Sequence, residues 1–311
     1  MDQNALPVLS LAANPAQFSE DIGQSFRKFG FALVADHGID AGLIAEAWRL
    51  TAEFFALDEA EKREYAVAGI SGARGYTPFR TEIAKGAAFK DLKEFWHVGR
   101  DLPQGSTLAS SMPPNVWPTQ IAGFREVFQP LYAEFDRVGA VILSRIAVYL
   151  GLETDWFEAG IADGNSVMRL LHYPPIAGAE PGAIRAGAHE DINLITLLLG
   201  AEEAGLELLG RDGKWLNVSP PNGALAVNIG DMLQRLTNHV LPSTTHRVRN
   251  PDGARANFSR YSMPYFLHLR SDFMIETLPE CVSTDRPDMY PVPISADDYL
   301  QERLREIGLK G

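Results

Sequence analysis

A polar triplet followed by an apolar run, with the sequence HEDINLITLLL, occupies His189–Leu199 and decides how the rest of the chain is interpreted. The apolar part, Ile192–Leu199, predicts a buried strand. On a strand, residues i and i+2 project from the same face, so His189 and Asp191 would point in one direction and Glu190 in the other. We therefore expect two potential metal ligands at the mouth of the protein core.

Short apolar runs separated by Pro, Gly, Asn and Asp follow Gly151 and lie on both sides of this stretch. Many short strands at such a spacing are typical of a β-sandwich or a jelly roll, in which two antiparallel sheets face each other. The second half of the chain is therefore predicted to be rich in β-structure. The other runs are Val167–Tyr173, Leu206–Leu209, Trp215–Val218, Ala224–Ile229, Thr245–Arg249 and Arg260–Leu267.

Before these runs, Thr119–Leu150 has apolar residues at helical spacing and predicts a long, buried scaffold helix. The residues preceding it alternate between helical and strand patterns, so the whole chain is predicted to be mixed α and β. The remaining predicted elements are helices at Phe18–Phe29 and Leu43–Phe55, a helix from its cap Asp58 to Tyr65, strands at Leu6–Leu11 and Gly30–Val34, loops over Gly69–Lys90, and a last helix at Ala296–Ile307.

Composition narrows the classes of partner. The 311 residues carry a formal net charge of -12, and an acidic surface repels phosphate backbones and anionic lipid. We therefore expect a small-molecule partner, with no nucleic acid and no membrane.

The cysteine content and the length of the apolar runs bear on the location of the protein. Cys281 is the single cysteine and cannot form an intramolecular disulfide, which is typical of a reducing compartment. The apolar runs are too short to span a bilayer, so the predicted location is the cytoplasm.

A third ligand would complete a metal site with His189 and Asp191. Two histidines and one carboxylate on one face of a metal leave three positions open, which is the arrangement of iron(II) oxygenases. Among the seven histidines of the sequence we favour His246, because it lies in a predicted strand. His239 is the competing choice, but it precedes Pro242 in a predicted loop.

An arginine on the last predicted strand is the next candidate for a ligand contact. Alternation places Arg260 and Ser262 on one face of Arg260–Leu267. A guanidinium cannot shed its charge, so an inward-facing Arg260 needs an anionic partner. That partner could be a bound carboxylate, with Ser262 adding a hydrogen bond, or one of the forty acidic residues of the chain.

Taken together, these motifs resemble the isopenicillin N synthase-like, 2-oxoglutarate-dependent iron(II) oxygenases. The resemblance covers nearly the whole chain, and it differs from plant relatives at Leu171, where those often have Asn. The motifs that carry it are His189-Glu190-Asp191-Ile192-Asn193-Leu194-Ile195-Thr196, His246-Arg247-Val248, Arg260-Tyr261-Ser262-Met263-Pro264-Tyr265-Phe266, Asn228-Ile229-Gly230-Asp231-Met232-Leu233, His172-Tyr173-Pro174-Pro175, and the Gly30-Phe31 to His37-Gly38 region.

The resemblance implies a double-stranded β-helix, or jelly roll, with flanking helices and a metal inside one end. It implies an N-terminal helix and strand region over residues 1–117. Residues 118–311 would then hold the scaffold helix, the catalytic jelly roll at about 163–270 and the C-terminal helix. It also implies that iron(II) is bound by His189, Asp191 and His246.

The implied co-substrates are 2-oxoglutarate and O2. The 1-carboxylate and keto oxygen of 2-oxoglutarate would chelate iron. Its other carboxylate would meet Arg260 and Ser262, and Tyr173 would offer a hydroxyl contact. Turnover would give succinate, carbon dioxide and an oxidised small substrate, with hydroxylation, ring closure, desaturation and ethylene formation all open.

Two other interpretations remain open at this point. Members such as isopenicillin N synthase use no 2-oxoglutarate, and there the Arg-x-Ser pair contacts substrate instead. A jelly roll with a metal could also be a non-redox cupin-like module. Arg74, Arg80 and Lys93 lie in or after the Gly-rich stretch, where one could bind a substrate acid; we expect each to be a solvated loop charge.

Overall fold

The computed structural model describes residues 5–70, 72–83, 88–110, 112–176, 180, 182–200 and 205–306. Among these residues, no helix combines the length and the apolar character needed to cross a membrane. The described helices are α1 (Pro15–Phe29), α2 (Ala41–Phe55), α3 (Glu59–Arg63), α4 (Phe124–Tyr149), α5 (Glu158–Ile161), α6 (Asp231–Leu236) and α7 (Ala296–Glu306).

Local sequence explains where the first helix begins and ends. The Asn14 side chain accepts hydrogen bonds from the first backbone N–H groups of α1, and Gly30 ends the helix at a φ of 68°. A Cβ at Gly30 would lie 2.7 Å from the Pro242 carbonyl oxygen, so a glycine is needed for both conformation and space. The chain then enters a strand directly.

Most strands form two sheets that face each other. The larger, which we call the major sheet, has the order β1-β2-β10-β7-β12-β5-β4-β3, and the minor sheet has the order β6-β11-β8-β9. The strands are β1 (Val8–Ser10), β2 (Phe31–Ala35), β3 (Gly75–Thr77), β4 (Glu94–Gly99), β5 (Val167–Tyr173), β6 (Ala186–His189), β7 (Ile195–Leu199), β8 (Leu206–Leu209), β9 (Trp215–Asn217), β10 (Leu225–Ile229), β11 (His246–Val248), β12 (Arg260–Leu267) and the separate pair β13 (Met274–Ile275) and β14 (Ile294–Ser295).

The two faces of the major sheet have different neighbours. Met263, Tyr265 and Leu267 project from β12 into one core shared with α1, α2 and α4. The opposite face, which we call the interior face, packs Phe95 and Leu171 against the minor sheet. The predicted mixed α and β architecture, with a jelly-roll core and a buried scaffold helix, is confirmed. The apolar positions of α4 that face this core are Phe124, Phe128, Leu131, Phe135, Val138, Ile142 and Ile146.

Some predicted bounds were wrong. The strand expected at Ile192–Leu199 begins only at Ile195, because the Asn193 side chain bonds the Ile195 carbonyl and the chain bends there. The helix expected from Thr119 begins at Phe124, after Gly123 in a left-handed conformation with a φ of 80°.

The N-terminal region also departs from its pattern. The stretch Gly69–Lys90, which was expected to form loops, contains β3. Residues 71 and 84–87 of this stretch lie outside the described residues. The predicted end of the last helix, Ile307, also lies outside them. The strand β4 had no recognisable alternation because all six of its residues are buried, including Glu94 and His97. Strands from residues 1–117 join the major sheet, and the division of the chain near residue 117 stays a prediction.

Candidate metal centre

Three potential ligands converge where the chain crosses from the minor to the major sheet. His189 ends β6, His246 begins β11, and the two lie directly opposite each other in the antiparallel register. Asp191 follows in the crossing segment, with its Oδ1 atom 3.8 Å from the Nε2 atom of each histidine. Among the described residues, these three side chains form a group whose ligand atoms all lie within 4.8 Å of one another.

Hydrogen bonds to the backbone orient both imidazoles. The Nδ1–H of His189 donates to the Gly187 carbonyl at 2.7 Å, and the Nδ1–H of His246 donates to the Thr244 carbonyl at 3.1 Å. Since each Nδ1 carries the proton, each Nε2 presents a lone pair towards Asp191. This is the tautomer that a metal ion requires.

The aspartate is oriented through its other oxygen. Asp191 Oδ2 accepts hydrogen bonds from Thr196 Oγ1 at 2.6 Å and from Asn228 Nδ2 at 2.8 Å, which leaves Oδ1 facing the histidines. Thr196 and Asn228 lie in two of the motifs that carry the family resemblance, but the sequence alone predicts no role for them. Their position beside a carboxylate depends on the pairing of β7 with β10, where Thr196 lies opposite Asn228.

Protonation in the site suits a divalent cation. Burial, together with the neighbouring His246, lowers the pKa of His189 to about 4. Burial alone would raise the pKa of Asp191, but the two histidines and the hydrogen bonds from Thr196 and Asn228 bring it below its usual value. At neutral pH the His189 ring is therefore neutral and Asp191 is ionised, as metal ligation demands.

The residues predicted to bind a carboxylate lie on the interior face. Arg260 pairs with Tyr173 across β12 and β5, and Ser262 pairs with Leu171, so these side chains share one face. The Arg260 guanidinium carbon lies 5.1 Å from the Tyr173 ring centre, and all of these residues are buried. Arg185, which no sequence pattern singled out, is also buried, and its guanidinium carbon lies 6.0 Å from the same ring.

The other candidate residues from the sequence lie away from the three ligands or are buried for other reasons. Arg80 is exposed, as expected of a loop charge. The same expectation was wrong for Arg74 and Lys93, which are both buried, because the predicted loop packs against the sheet and Lys93 directly precedes the buried strand β4. His239, the competing ligand, bonds the Tyr290 hydroxyl at 2.6 Å and does not belong to the metal group of the described residues.

Comparisons with known proteins agree with this geometry. The family model described as non-haem dioxygenase in morphine synthesis N-terminal matches residues 6–120. The family model of the 2OG-Fe(II) oxygenase superfamily matches residues 164–269. A 2-oxoglutarate-Fe(II) type oxidoreductase of Emericella nidulans is 30% identical over 304 residues, covering 94% of this chain and 86% of that protein. Kihadalactone A synthase of Citrus sinensis is 32% identical, covering 97% of this chain and 93% of that protein.

Solved structures give the same result. A 2OG-Fe(II) oxygenase family protein from Caulobacter crescentus has a TM-score of 0.90 and 52% identity, covering 97% of this chain and 99% of its own. A full-length Neurospora crassa protein solved in complex with alpha-KG has a TM-score of 0.86 and 26% identity, covering 98% of both chains. With the His-Asp-His group at its centre, this chain belongs to the 2OG-Fe(II) oxygenase superfamily and is an iron(II)- and 2-oxoglutarate-dependent dioxygenase.

Proposed function

We propose that the chain oxidises a small organic substrate with O2 while 2-oxoglutarate is converted to succinate and carbon dioxide. In this proposal His189, Asp191 and His246 hold the iron. The observation that carries it is the convergence of two Nε2 atoms on Asp191 Oδ1, each at 3.8 Å. The donor set fits the metal, because imidazole and carboxylate suit iron(II) and three protein ligands leave positions for co-substrate and oxygen.

When bound, iron(II) supplies the redox chemistry that couples oxygen reduction to decarboxylation and substrate oxidation. The protein contributes orientation. The backbone carbonyls of Gly187 and Thr244 fix the histidine tautomers, and Thr196 fixes the aspartate rotamer. These contacts keep the ligand lone pairs on one side, so that the opposite side stays available to the reactants.

Arg260 and Ser262 are proposed to hold the distal carboxylate of 2-oxoglutarate, with Tyr173 beside them. Arg260 is 3% exposed, and a buried guanidinium gains from a bidentate, charge-assisted bond to a carboxylate. Relatives support 2-oxoglutarate as that carboxylate, since JOX2, 28% identical to this chain, was solved in complex with 2OG, Fe and JA. The Neurospora crassa protein was also solved with alpha-KG and thymine.

The Phe31 ring and the burial of two of the three ligands limit access of water to the centre. The Phe31 ring meets His246 edge-on with centres 5.5 Å apart, and Asp191 and His246 have side chains only 7% and 9% exposed. The His189 side chain is 39% exposed, so we propose that the substrate approaches from its side. Exclusion of water protects a reactive site from side reactions.

An anaerobic titration of the metal-free protein with iron(II), with and without 2-oxoglutarate, tests the proposal. We expect a weak visible charge-transfer band only when both are present, because the band requires chelation of the metal by the keto acid. Asp191→Ala should abolish it. Asp212→Ala, which changes an aspartate with a side chain 54% exposed, is the matched control and should keep it.

Oxygen is then admitted with ascorbate present, and succinate is measured without any added substrate. We expect slow basal release, since 2-oxoglutarate turns over uncoupled when no hydrogen donor is bound. A band without succinate would contradict turnover of 2-oxoglutarate. No band at all, with iron bound, would favour an oxidase of the isopenicillin N synthase type or a non-redox module.

A further inference from the structure

Arg169 lies on the interior face of the major sheet, close to the metal centre. Its guanidinium carbon is 4.0 Å from the Phe95 ring centre and 5.3 Å from that of Phe266. Phe266 pairs with Thr196, which in turn bonds Asp191. Arg169 is on β5, two strands from β7 in the sheet order, which at about 4.8 Å per strand is a separation of about 10 Å. Arg169 and Thr196 therefore lie on the same face of the major sheet, two strands apart.

Two neighbours fix the orientation of this guanidinium. Arg169 Nε donates to His97 Nε2 at 2.6 Å, while Nη1 and Nη2 each donate to Glu82 at 3.2 Å. His97 can accept, because its Nδ1–H donates to the Gly72 carbonyl, and burial together with the charge of Arg169 holds its pKa well below the usual value. These bonds use three of the five N–H groups of an arginine, so one N–H remains on each Nη.

The charges of the groups joined by ion pairs to Arg169 cancel. Glu82 also accepts from Lys93 at 2.9 Å, and Lys93 donates to Asp91 at 2.8 Å, so two cations meet two carboxylates. Burial alone would raise the pKa of Glu82, but Arg169 and Lys93 hold it far below its usual range. A substrate carboxylate placed here would lose its hydration beside cations that are already neutralised, which is unfavourable.

The guanidinium of Arg74 also acts on His97, but it cannot contact a ligand at this wall. Its side chain is 1% exposed, and its Nε and Nη2 atoms are sealed from solvent behind the protein surface. Arg169 and Glu82, by contrast, each have side chains 17% exposed. Of the four paired groups and Arg74, all within the described part of the chain, Arg169 and Glu82 are therefore the accessible ones, and as an ion pair they are neutral overall.

That pair presents a donor beside an acceptor. Each Nη of Arg169 keeps one N–H that can donate to a ligand. Among the described residues, Glu82 Oε1 accepts one hydrogen bond, from Arg169 Nη2. Since a carboxylate oxygen can accept about two, Oε1 can take another from a ligand. A secondary amide held cis in a ring has the complementary order, with its carbonyl oxygen and its N–H on the same edge. We propose, on the basis of the proposed function, that the substrate class is small uncharged molecules bearing a cyclic secondary amide, bound through Arg169 and Glu82.

The test uses the iron-loaded enzyme with 2-oxoglutarate and O2. Pyrrolidin-2-one, piperidin-2-one and hydantoin are each compared with their N-methylated forms and with butanoate, by succinate release above the basal rate. We expect at least one secondary amide to raise the rate tenfold or more, and its N-methylated form and butanoate to fail. The amide assignment is overturned if butanoate stimulates and no amide does, or if no compound of the panel stimulates. Absence of basal succinate contradicts the proposed function instead.

Variants then locate the contact. Arg169→Met should raise the KM for the active amide at least tenfold and weaken its anaerobic binding, followed through the iron–2-oxoglutarate band, to a similar extent. Arg169→Lys should recover part of the loss because it retains the charge and a donor. Arg80→Met, at an exposed arginine, should behave as the unaltered protein. An unchanged amide KM in both Arg169 variants overturns the inference.

Discussion

Thr196→Val removes the shorter of the two hydrogen bonds that orient Asp191. The hydroxyl donates to Oδ2 at 2.6 Å, and the substitution leaves Asn228, at 2.8 Å, as the other bond to that oxygen. Valine has nearly the same shape and favours a strand, so β7 should be retained. The change therefore tests the orientation of one proposed metal ligand without altering any of the three.

The size of the effect follows from the charge on the acceptor. A hydrogen bond to an ionised group contributes about 1.5–3 kcal/mol, and about 1.4 kcal/mol changes a binding constant tenfold. Partners of metal ligands typically account for about 10- to 100-fold in affinity. We expect the Kd for manganese(II) or iron(II) to rise by roughly 10- to 100-fold in Thr196→Val.

Competition against a fluorescent chelator under anaerobic conditions measures the metal Kd, and circular dichroism checks the fold. Thr51→Val is a matched control, because Thr51 is also buried but bonds the Ala47 carbonyl within α2. It should bind metal as the unaltered protein does. Equal metal affinities for Thr196→Val and the unaltered protein would refute the reasoning, as would an equal loss in both variants.

Three further outcomes are expected. Arg260→Ala should weaken 2-oxoglutarate binding at least tenfold in the iron titration, with partial recovery in Arg260→Lys; unchanged affinity would assign this arginine to a substrate carboxylate. His246→Ala should abolish metal binding while His239→Ala retains it, and the reverse result would make the choice of ligand wrong. Burial raises the pKa of the Cys281 thiol to about 11, so at pH 8 only about a thousandth is thiolate. Native protein should therefore react with iodoacetamide at least about 100-fold more slowly than protein unfolded in urea, and rapid native labelling would contradict the burial of this thiol.

Local patterns were sufficient for much of the architecture. Apolar spacing located the scaffold helix and the strand Arg260–Leu267, since burial of one face imposes a period on the sequence. The triplet at His189 and the strand character around His246 were enough to predict a metal site. A resemblance between ordered motifs then gave the family, because those motifs combine residue types that a core alone would not need.

The sequence by itself predicted a metal site at His189, Asp191 and His246, and it determined that the fold is a jelly roll with flanking helices. Only the tertiary structure decided that Asp191 stands in a crossing between sheets, held by Thr196, and that Lys93 and Arg169 share Glu82 on the interior face. The physical reason is that periodicity reports burial within one element. Contacts between elements depend on strand register and on how a loop packs, and neither leaves a period in the sequence.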